Sequence, residues 1–256
     1  MVAVAVRTSA HVEAALPVLQ AKKSLFIDVK TLVGFQTRQA AYVKKVKEIL
    51  DSGALGRILS TSLVASFCFP AVRGRTGYAF TSHLYDAPNG NTMLDIDGGH
   101  LIDVLHYLFG PISSVVGHLA TQYPTIQLVD ASGNPTGDPI PQSDVHQVVF
   151  GGQFANKDGT VLSVNIRNIQ NEGGGGLFWV TDGEKGTIKI TAERMNGHTF
   201  MRAQPELWLD GEKVDVVTDT ESGRAGRYWD AFAEGKEGEY ATIEDALRAK
   251  EMIDAI

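Results

Sequence analysis

A long series of strand patterns, from Arg57 to Val217, most constrains the fold of this chain. Several of these segments alternate apolar and polar residues, as strands with one buried and one solvated face do. Asp-Gly pairs at 158–159, 182–183 and 210–211 lie between segments, and this dipeptide favours tight hairpins. The pattern therefore predicts a largely antiparallel sheet. Its predicted strands are 57–69, 113–123, 145–155, 160–170, 177–181, 187–191, 206–209 and 213–217.

Composition narrows the classes of partner. The chain has 256 residues, of which 43% are hydrophobic, enough for an ordinary core, and a formal net charge of -7. That charge, without a long basic run, argues against nucleic acid as a partner. The single cysteine, Cys68, excludes an intramolecular disulfide. We find no signal-peptide pattern and no apolar run of membrane-spanning length, so we expect a cytoplasmic protein without a membrane partner.

The segment from Asp97 to Phe109 predicts a helix with one narrow polar stripe. At about 100° per residue, His100, Asp103 and Tyr107 share this stripe, and most other positions are apolar. In one interpretation the stripe faces solvent and Asp97 is the helix N-cap. In the other, the stripe faces a pocket, where a carboxylate near a histidine tunes it as a general acid or base.

Two further regions supply candidate substrate contacts. Residues 67–85 combine aromatic surface with polar tips, which suits a concave small-molecule site, although a structural role for His83 stays open. Residues 161–168 alternate apolar and polar residues, so their polar face either contacts a ligand or is simply solvated. The predicted substrate-binding residues are Phe67, Phe69, Tyr78, His83, Tyr85, Asn165, Arg167 and, as an aromatic wall, Trp179. Neither pattern supports a metal site.

Several segments resemble the glucose-fructose oxidoreductase/inositol dehydrogenase family. The stretch from Met93 to Gly110, MLDIDGGHLIDVLHYLFG, resembles the helix that opens the family's substrate domain. Residues 2–29 resemble a late β-α-β unit of its Rossmann domain. Residues 51–56, 183–188 and 241–247 (DSGALG, GEKGTI and ATIEDAL) resemble its later landmarks. The chain is similar to the branch that contains the repressor of the fungal galactose regulon.

The chain departs from the family in ways that bear on catalysis. It has no G-x-G-x-x-G after a first strand, the motif that holds a pyrophosphate at a helix N-terminus, so we expect no cofactor. The family's catalytic lysine has no secure counterpart, although Lys30 is adjacent to the corresponding position. Where the family often has an aspartate four residues before the histidine, this chain has Ile96. The resemblance retains His100.

The resemblance also predicts the domain organisation. We expect an α+β fold, with a truncated Rossmann-like remnant over residues 1–56 and an open-faced substrate domain with helices on one face over residues 57–256. Parallel strands need a crossover of roughly a dozen residues, so the patterns at 25–29 and 30–36 predict one long strand. Apolar surface left by the remnant predicts self-association, most simply as a homodimer.

These observations predict a cofactor-independent enzyme. The reaction would be a non-redox step, such as cyclisation, isomerisation, dehydration or a pericyclic reaction, on a small, largely apolar substrate. Orientation and hydrogen-bond donation suffice to accelerate such steps. The predicted catalytic residues are His100 with Asp97 or Asp103. Two alternatives stay open: a non-catalytic binding or regulatory protein like the galactose repressor, and an NAD(P)-dependent oxidoreductase.

Overall fold

The computed structural model describes residues 31–67, 76–78, 92–156, 158–168, 176–193 and 204–256. The helical elements are a 3₁₀-helix at Gln36–Gln39, α1 at Ala41–Asp51, a π-helical turn at Leu94–Gly98, α2 at Gly99–Phe109, α3 at Glu221–Ala233 and α4 at Ile243–Ala255. The strands are β1 at Ile58–Phe67, β2 at Thr76–Tyr78, β3 at Ile112–Ala120, β4 at Thr125–Val129, β5 at Ile140–Pro141, β6 at Gln147–Phe154, β7 at Val161–Asn168, β8 at Gly176–Gly183, β9 at Thr187–Ala192, β10 at Glu206–Leu209 and β11 at Glu212–Val214.

Eight of these strands form one sheet in the order β11-β10-β9-β8-β1-β7-β6-β3. All neighbours are antiparallel except β1 and β7, which are parallel. The predicted largely antiparallel sheet is therefore confirmed. The small sheet of β2, β4 and β5 was not predicted, because its strands are short and two of them lie in a segment rich in Gly and Pro.

The strand β7 shows how the alternating pattern divides the sheet into two faces. Leu162, Val164 and Ile166 point to one face, where each is 2% exposed or less. Ser163 is exposed and Asn165 is half-buried on the other face. The buried residues of α2 belong to the same apolar cluster as those of β7. The helices therefore cover one face and leave the other open, as the α+β prediction requires.

Two Asp-Gly pairs behave differently. Asp210 and Gly211 join β10 to β11 with φ values of 52° and 85°, which is the tight hairpin predicted there. Gly183, in contrast, lies at the end of β8, and the turn follows it over residues 184–186. A Cβ on Gly183 would lie 2.3 Å from the carbonyl oxygen of Leu55. That glycine therefore serves close packing rather than the turn.

The N-terminal part of the chain differs from its prediction where it is described. Residues 25–30 of the predicted strand lie outside the described residues. In the described part, residues 31–36, the only β pairing is an isolated bridge between Val33 and Ala241. Ala40 has extended backbone angles and separates the 3₁₀-helix from α1. α1 packs against α2. The division of the chain at residue 56 stays a prediction.

No helix in the described part of the chain is long and apolar enough to cross a membrane.

Candidate functional site

The helix that carries His100 begins one turn earlier than predicted. The Thr92 hydroxyl accepts a hydrogen bond from the Asp95 backbone N–H at 3.0 Å, and the Asp95 carboxylate accepts from the Thr92 hydroxyl at 2.6 Å and from its backbone N–H at 3.4 Å. This reciprocal arrangement is a capping box. Asp97 is therefore not the helix N-cap, and the Thr-x-x-Asp signature at residues 92–95 is the signal that would have located the start.

A π-helical turn follows the cap and sets the position of Asp97. Hydrogen bonds in such a turn span five residues rather than four, which widens the helix locally, and these turns occur frequently at functional sites. Gly98 ends the turn, and a Cβ there would lie 2.7 Å from Leu94 Cδ1. The turn changes the angular spacing between Asp97 and the residues of α2, so α-helical periodicity does not describe this end of the helix.

Asp97 is a buried carboxylic acid whose loss of hydration is offset little by hydrogen bonds. It is 4% exposed, and its Oδ1 atom has no hydrogen-bond partner among the described residues. Burial raises the pKa of Asp97 to about 7, and the negative charge of Asp144 contributes to the increase. Asp97 therefore changes its protonation state near neutral pH, which is the property of a general acid or base.

Asp144 is the second carboxylate of the site, and the sequence interpretation missed it. It lies just before β6, is 7% exposed, and its Oδ1 accepts a hydrogen bond from the Met93 backbone N–H at 2.9 Å. Burial raises the pKa of Asp144 to about 6, while backbone hydrogen bonds from Met93 and Val145 oppose the increase. No local pattern connects Asp144 with a helix start 51 residues earlier, so only the fold brings it to Asp97.

His100 is the second residue of α2 and follows Asp97 by three residues. Its side chain is half-buried. Phe35 packs edge-on against the imidazole, with the ring centroids 5.2 Å apart. Phe35 therefore limits the orientations of the imidazole. The structure thus places His100 and Asp97, two predicted catalytic residues, at the same end of α2.

Asp103 has a different environment. It is 1% exposed, and its two carboxylate oxygens accept hydrogen bonds from Arg38 Nε at 2.9 Å and Arg38 Nη2 at 2.6 Å. Arg38 Nη1 also donates to the carbonyl oxygens of Tyr240, at 3.1 Å, and Gly238. Burial raises the pKa of Asp103, and the Arg38 guanidinium opposes that increase. Asp103 therefore ties α2 to the 3₁₀-helix, and its predicted support of His100 would have to coexist with this ion pair.

The sheet separates three of the predicted substrate contacts. Asn165 and Arg167 point to the open face, whereas Trp179 lies on the helix-covered face and is 1% exposed. The Trp179 indole N–H donates to the Thr61 hydroxyl at 2.7 Å. Strand alternation places these side chains on opposite faces, so Trp179 is not an aromatic wall beside Asn165 and Arg167.

The remaining predicted contacts stay predictions. Phe69, His83 and Tyr85 lie outside the described residues, and for Phe67 and Tyr78 the structure describes only the backbone. Within the described ranges, no group of three or more His, Cys, Asp or Glu residues is arranged to hold a metal ion.

Comparison with known proteins identifies the family. Residues 41–192 match the sequence model of the Gal80p C-terminal domain, and this span is more than half of the chain. The chain belongs to this Gal80p C-terminal domain family. The membership confirms the predicted resemblance to the oxidoreductase family in its galactose-repressor branch. Within the family domain lie the π-helical turn, α2 and both carboxylates of the site.

Two relatives show how far the Gal80p-type likeness extends. Dehydrogenase aclE of Aspergillus oryzae is 27% identical over 100% of this chain and 75% of its own length. The galactose/lactose metabolism regulatory protein GAL80 of Saccharomyces cerevisiae is 23% identical over 61% of this chain. The chain spans 42% of the GAL80 sequence. Homologues at low identity thus include both a dehydrogenase and a regulator.

Solved structures show the same fold. A super-repressor mutant of Gal80p from Saccharomyces cerevisiae has a TM-score of 0.80 at 18% identity, over 99% of this chain and 76% of that one. Levoglucosan dehydrogenase has a TM-score of 0.70 at 21% identity, over 98% of this chain and 68% of that one. At such identities the likeness establishes the fold alone, and the function has to be argued from the site.

Proposed function

We propose that this Gal80p-type protein is an enzyme that catalyses a non-redox proton transfer on a small molecule, with Asp97 as the acid–base group and His100 beside it. The observation that carries the proposal is the buried Asp97 carboxyl, whose pKa of about 7 lies near neutral pH. A group with a matched pKa both takes and returns a proton, which is the core of isomerisation and dehydration. Neither reaction requires a nicotinamide.

Asp97 and His100 have complementary parts in this chemistry. Asp97 is poised between its two forms because burial and Asp144 disfavour its charge. His100 lies half-buried near the start of α2, and Phe35 packs edge-on against its imidazole and limits its orientations. We therefore assign proton transfer to Asp97 and orientation of the substrate to His100.

The test begins with the substrate, which mass spectrometry of metabolites that copurify with the full chain would identify. The variant Asp97→Asn removes the titrating proton but keeps shape and polarity, so we expect turnover to fall roughly 100- to 10,000-fold. Asp51→Asn, at an exposed site on α1, is the matched control and should retain activity. Full activity of Asp97→Asn would exclude the proposal.

A nicotinamide-dependent dehydrogenase is the second candidate, because aclE matches the whole length of the chain. Calorimetric titration with NADH and NADPH distinguishes the two functions. The proposed enzyme does not need either nucleotide and should bind neither with a micromolar dissociation constant. Binding at that level, together with absorbance changes of NADH in the presence of the copurifying metabolite, would favour the dehydrogenase.

A regulatory binding protein is the third candidate, supported by the GAL80 homologues. In that case the protein would bind and release the copurifying molecule without changing it chemically. Incubation of the purified molecule with the full chain, followed by mass spectrometry, separates a ligand from a substrate. An unchanged mass and an unchanged retention time after prolonged incubation would favour regulation.

We also propose that the protein acts as a homodimer through the open face of its sheet. Phe178, Val64 and Val149 are each more than a third exposed on this face. They lie in one row across the sheet, because Phe178 pairs with Val64, Val64 with Asn165, and Asn165 with Val149. Eight strands at about 4.8 Å spacing, with an average length of about 23 Å, give a face of roughly 900 Å², close to the usual contribution of one partner to a stable interface.

The double variant Phe178→Glu with Val149→Glu places unpaired charges in this face, so light scattering should find a monomer. Leu247→Glu, at an exposed position of α4, is the control and should leave the dimer intact. A wild-type protein that is monomeric at micromolar concentration would refute the proposed dimer.

A further inference from the structure

His146, directly before β6, is a buried histidine with an unusual hydrogen-bond arrangement. It is fully buried, and burial lowers the pKa of its imidazole, so the ring is neutral. Its Nδ1 atom accepts a hydrogen bond from the Gln122 backbone N–H at 3.2 Å. An acceptor nitrogen carries no proton, so the proton of the neutral ring is on Nε2. The fold thus fixes the tautomer of His146.

The Nε2–H group of His146 has no hydrogen-bond partner among the described residues. An unsatisfied buried donor costs roughly 1 to 3 kcal/mol, and native proteins rarely retain one without a functional reason. Tyr123 packs edge-on against the ring, with the centroids 5.2 Å apart, and helps to hold it in place. The protein therefore keeps a fixed, neutral N–H donor in its interior.

A second unsatisfied polar group neighbours this donor. Asn168, at the end of β7, is 6% exposed, and its side-chain oxygen has no partner among the described residues. The Asn168 backbone N–H donates to the His146 carbonyl at 2.7 Å, so the two residues are paired across neighbouring strands. Side chains of such a pair lie on the same face about 5 Å apart. His146 and Asn168 thus present polar atoms to a common region.

This region adjoins the acid–base site. Burial alternates along residues 142–150, and Asp144, His146 and Val148 are all buried, so Asp144 and His146 point to the same side of the chain. The Asp144 carboxylate is bonded to the Met93 N–H at the start of the helix, and its charge acts on Asp97. The Asp97 Oδ1 atom likewise has no partner among the described residues. Through Asp144, the His146 and Asn168 pair is thus linked to the acid–base group Asp97.

We propose that His146 binds the carbonyl oxygen of the substrate through its Nε2–H group, and that the enzyme acts on compounds with an acidic C–H next to that carbonyl. The inference rests on the proposed acid–base function of Asp97. The Asp97 carboxylate takes the proton, the C–H electron pair becomes a C=C bond, and the carbonyl π pair moves to the oxygen. The resulting enolate oxygen accepts a hydrogen bond from His146 Nε2–H. Return of the proton from Asp97 to another atom completes an isomerisation without any oxidant.

The first measurement is the tautomer. Nitrogen NMR of protein with labelled histidine should show His146 protonated at Nε2 in the free protein. Titration with acetohydroxamate, whose oxygens resemble those of an enolate, should then shift this signal, whereas 2-propanol, which has no sp² oxygen, should not. A proton on Nδ1, or no response to acetohydroxamate at millimolar concentration, would overturn the inference.

Two variants of His146 separate binding from stability. Asn keeps an acceptor near Nδ1 for the Gln122 N–H but removes the Nε2 donor, so His146→Asn should weaken acetohydroxamate binding at least about tenfold, the loss expected for one hydrogen bond to a charged oxygen. Its melting temperature should not fall. Gln keeps a donor near Nε2 but loses the acceptor, so His146→Gln should bind within about threefold of the wild type and melt at a lower temperature.

The opposite pattern, with Asn retaining probe binding and losing stability, would assign His146 a purely structural role and overturn the inference. If His146→Asn does not fold, His146→Gln and the NMR titration of the wild-type protein with acetohydroxamate still test the inference. Failure of the proposed function gives a different result: Asp97→Asn would retain turnover while acetohydroxamate binding still depended on His146.

Discussion

Two aspartates at the ends of a short helical stretch, Asp97 and Asp103, differ in how their burial is compensated. Both are less than 5% exposed. Asp103 binds Arg38 through both oxygens, so its charge is balanced by a guanidinium. Asp97 has another carboxylate, Asp144, as its charged neighbour and an oxygen without a partner among the described residues. Burial alone therefore does not distinguish structural from functional carboxylates, whereas a directly hydrogen-bonded guanidinium does.

The comparison gives each aspartate a different expected response to mutation. Removal of one member of a buried ion pair leaves an uncompensated charge and destabilises the fold. Removal of the charge at Asp97 relieves a desolvation penalty and stabilises it, at the expense of activity. Loss of the Asp103 pair should therefore lower stability, whereas loss of the Asp97 charge should raise stability and lower activity.

The largest effect is expected at the Arg38–Asp103 pair. Arg38→Ala leaves Asp103 buried without its partner and also removes the bond to the Tyr240 carbonyl, so the free energy of unfolding should fall by roughly 3 to 5 kcal/mol. Unfolding in denaturant measures this loss of free energy. The exposed pair of Arg57 and Glu184 is the control, and Arg57→Ala should lower the free energy of unfolding by at most about 1 kcal/mol.

Equal losses in Arg38→Ala and Arg57→Ala would contradict the structural assignment of Asp103. A further check is the double variant Arg38→Met with Asp103→Leu. Because it replaces both charges with apolar groups, it should recover much of the stability lost in the single variant.

The second effect concerns the pH dependence of stability at Asp97. Its folded-state pKa of about 7 is higher than its ordinary value of 3.8. The stability that the protonated Asp97 carboxyl contributes is therefore fully present below about pH 4, and it is lost as the pH rises through 7. Asp97→Asn cannot ionise, so its advantage in unfolding free energy over the wild type should grow from near zero at pH 4 to roughly 3 to 4 kcal/mol at pH 9.

Thermal unfolding of both proteins across this pH range provides the measurement. Asp103→Asn is the matched comparison, and it should be less stable than the wild type at neutral pH, because it weakens the pairing with Arg38. An advantage of Asp97→Asn that does not change with pH would show that the Asp97 carboxyl titrates normally, and it would remove the basis for its acid–base role.

The fold was more predictable from sequence than the site. Alternation in strands such as β7 depends on local side-chain periodicity, which the sequence records directly. The likeness of the 93–110 segment also located α2. The π-helical turn was not predicted, because a single wider turn changes no residue type, and α-helical spacing then misplaced Asp97 as a cap.

The partners of the site residues could not be predicted at all. Asp144 and His146 lie just before β6, and their hydrogen-bond partners Met93 and Gln122 are 51 and 24 residues away in sequence. Trp179 was predicted as a ligand contact beside Arg167. Alternation within one strand shows which residues share a face of that strand, but not how the faces of separate strands correspond. The pairing of β1 with β7 and β8 shows that Trp179 and Arg167 lie on opposite faces of the sheet. Contacts distant in sequence decide these assignments, and a single chain carries no local signal for them.

The smallest effect is expected at the capping box that begins the helix. Thr92→Ala removes the hydroxyl that accepts from the Asp95 N–H, and the usual loss for such a cap is about 1 kcal/mol of unfolding free energy. Thr92→Ser keeps the hydroxyl and should be close to the wild type. The second capping box, Thr242 with Asp245 at α4, is the matched control. Because Thr92 only closes the first turn, its loss should resemble that of Thr242→Ala, and a loss several times larger would mean that the cap also maintains the π-helical turn and the position of Asp97.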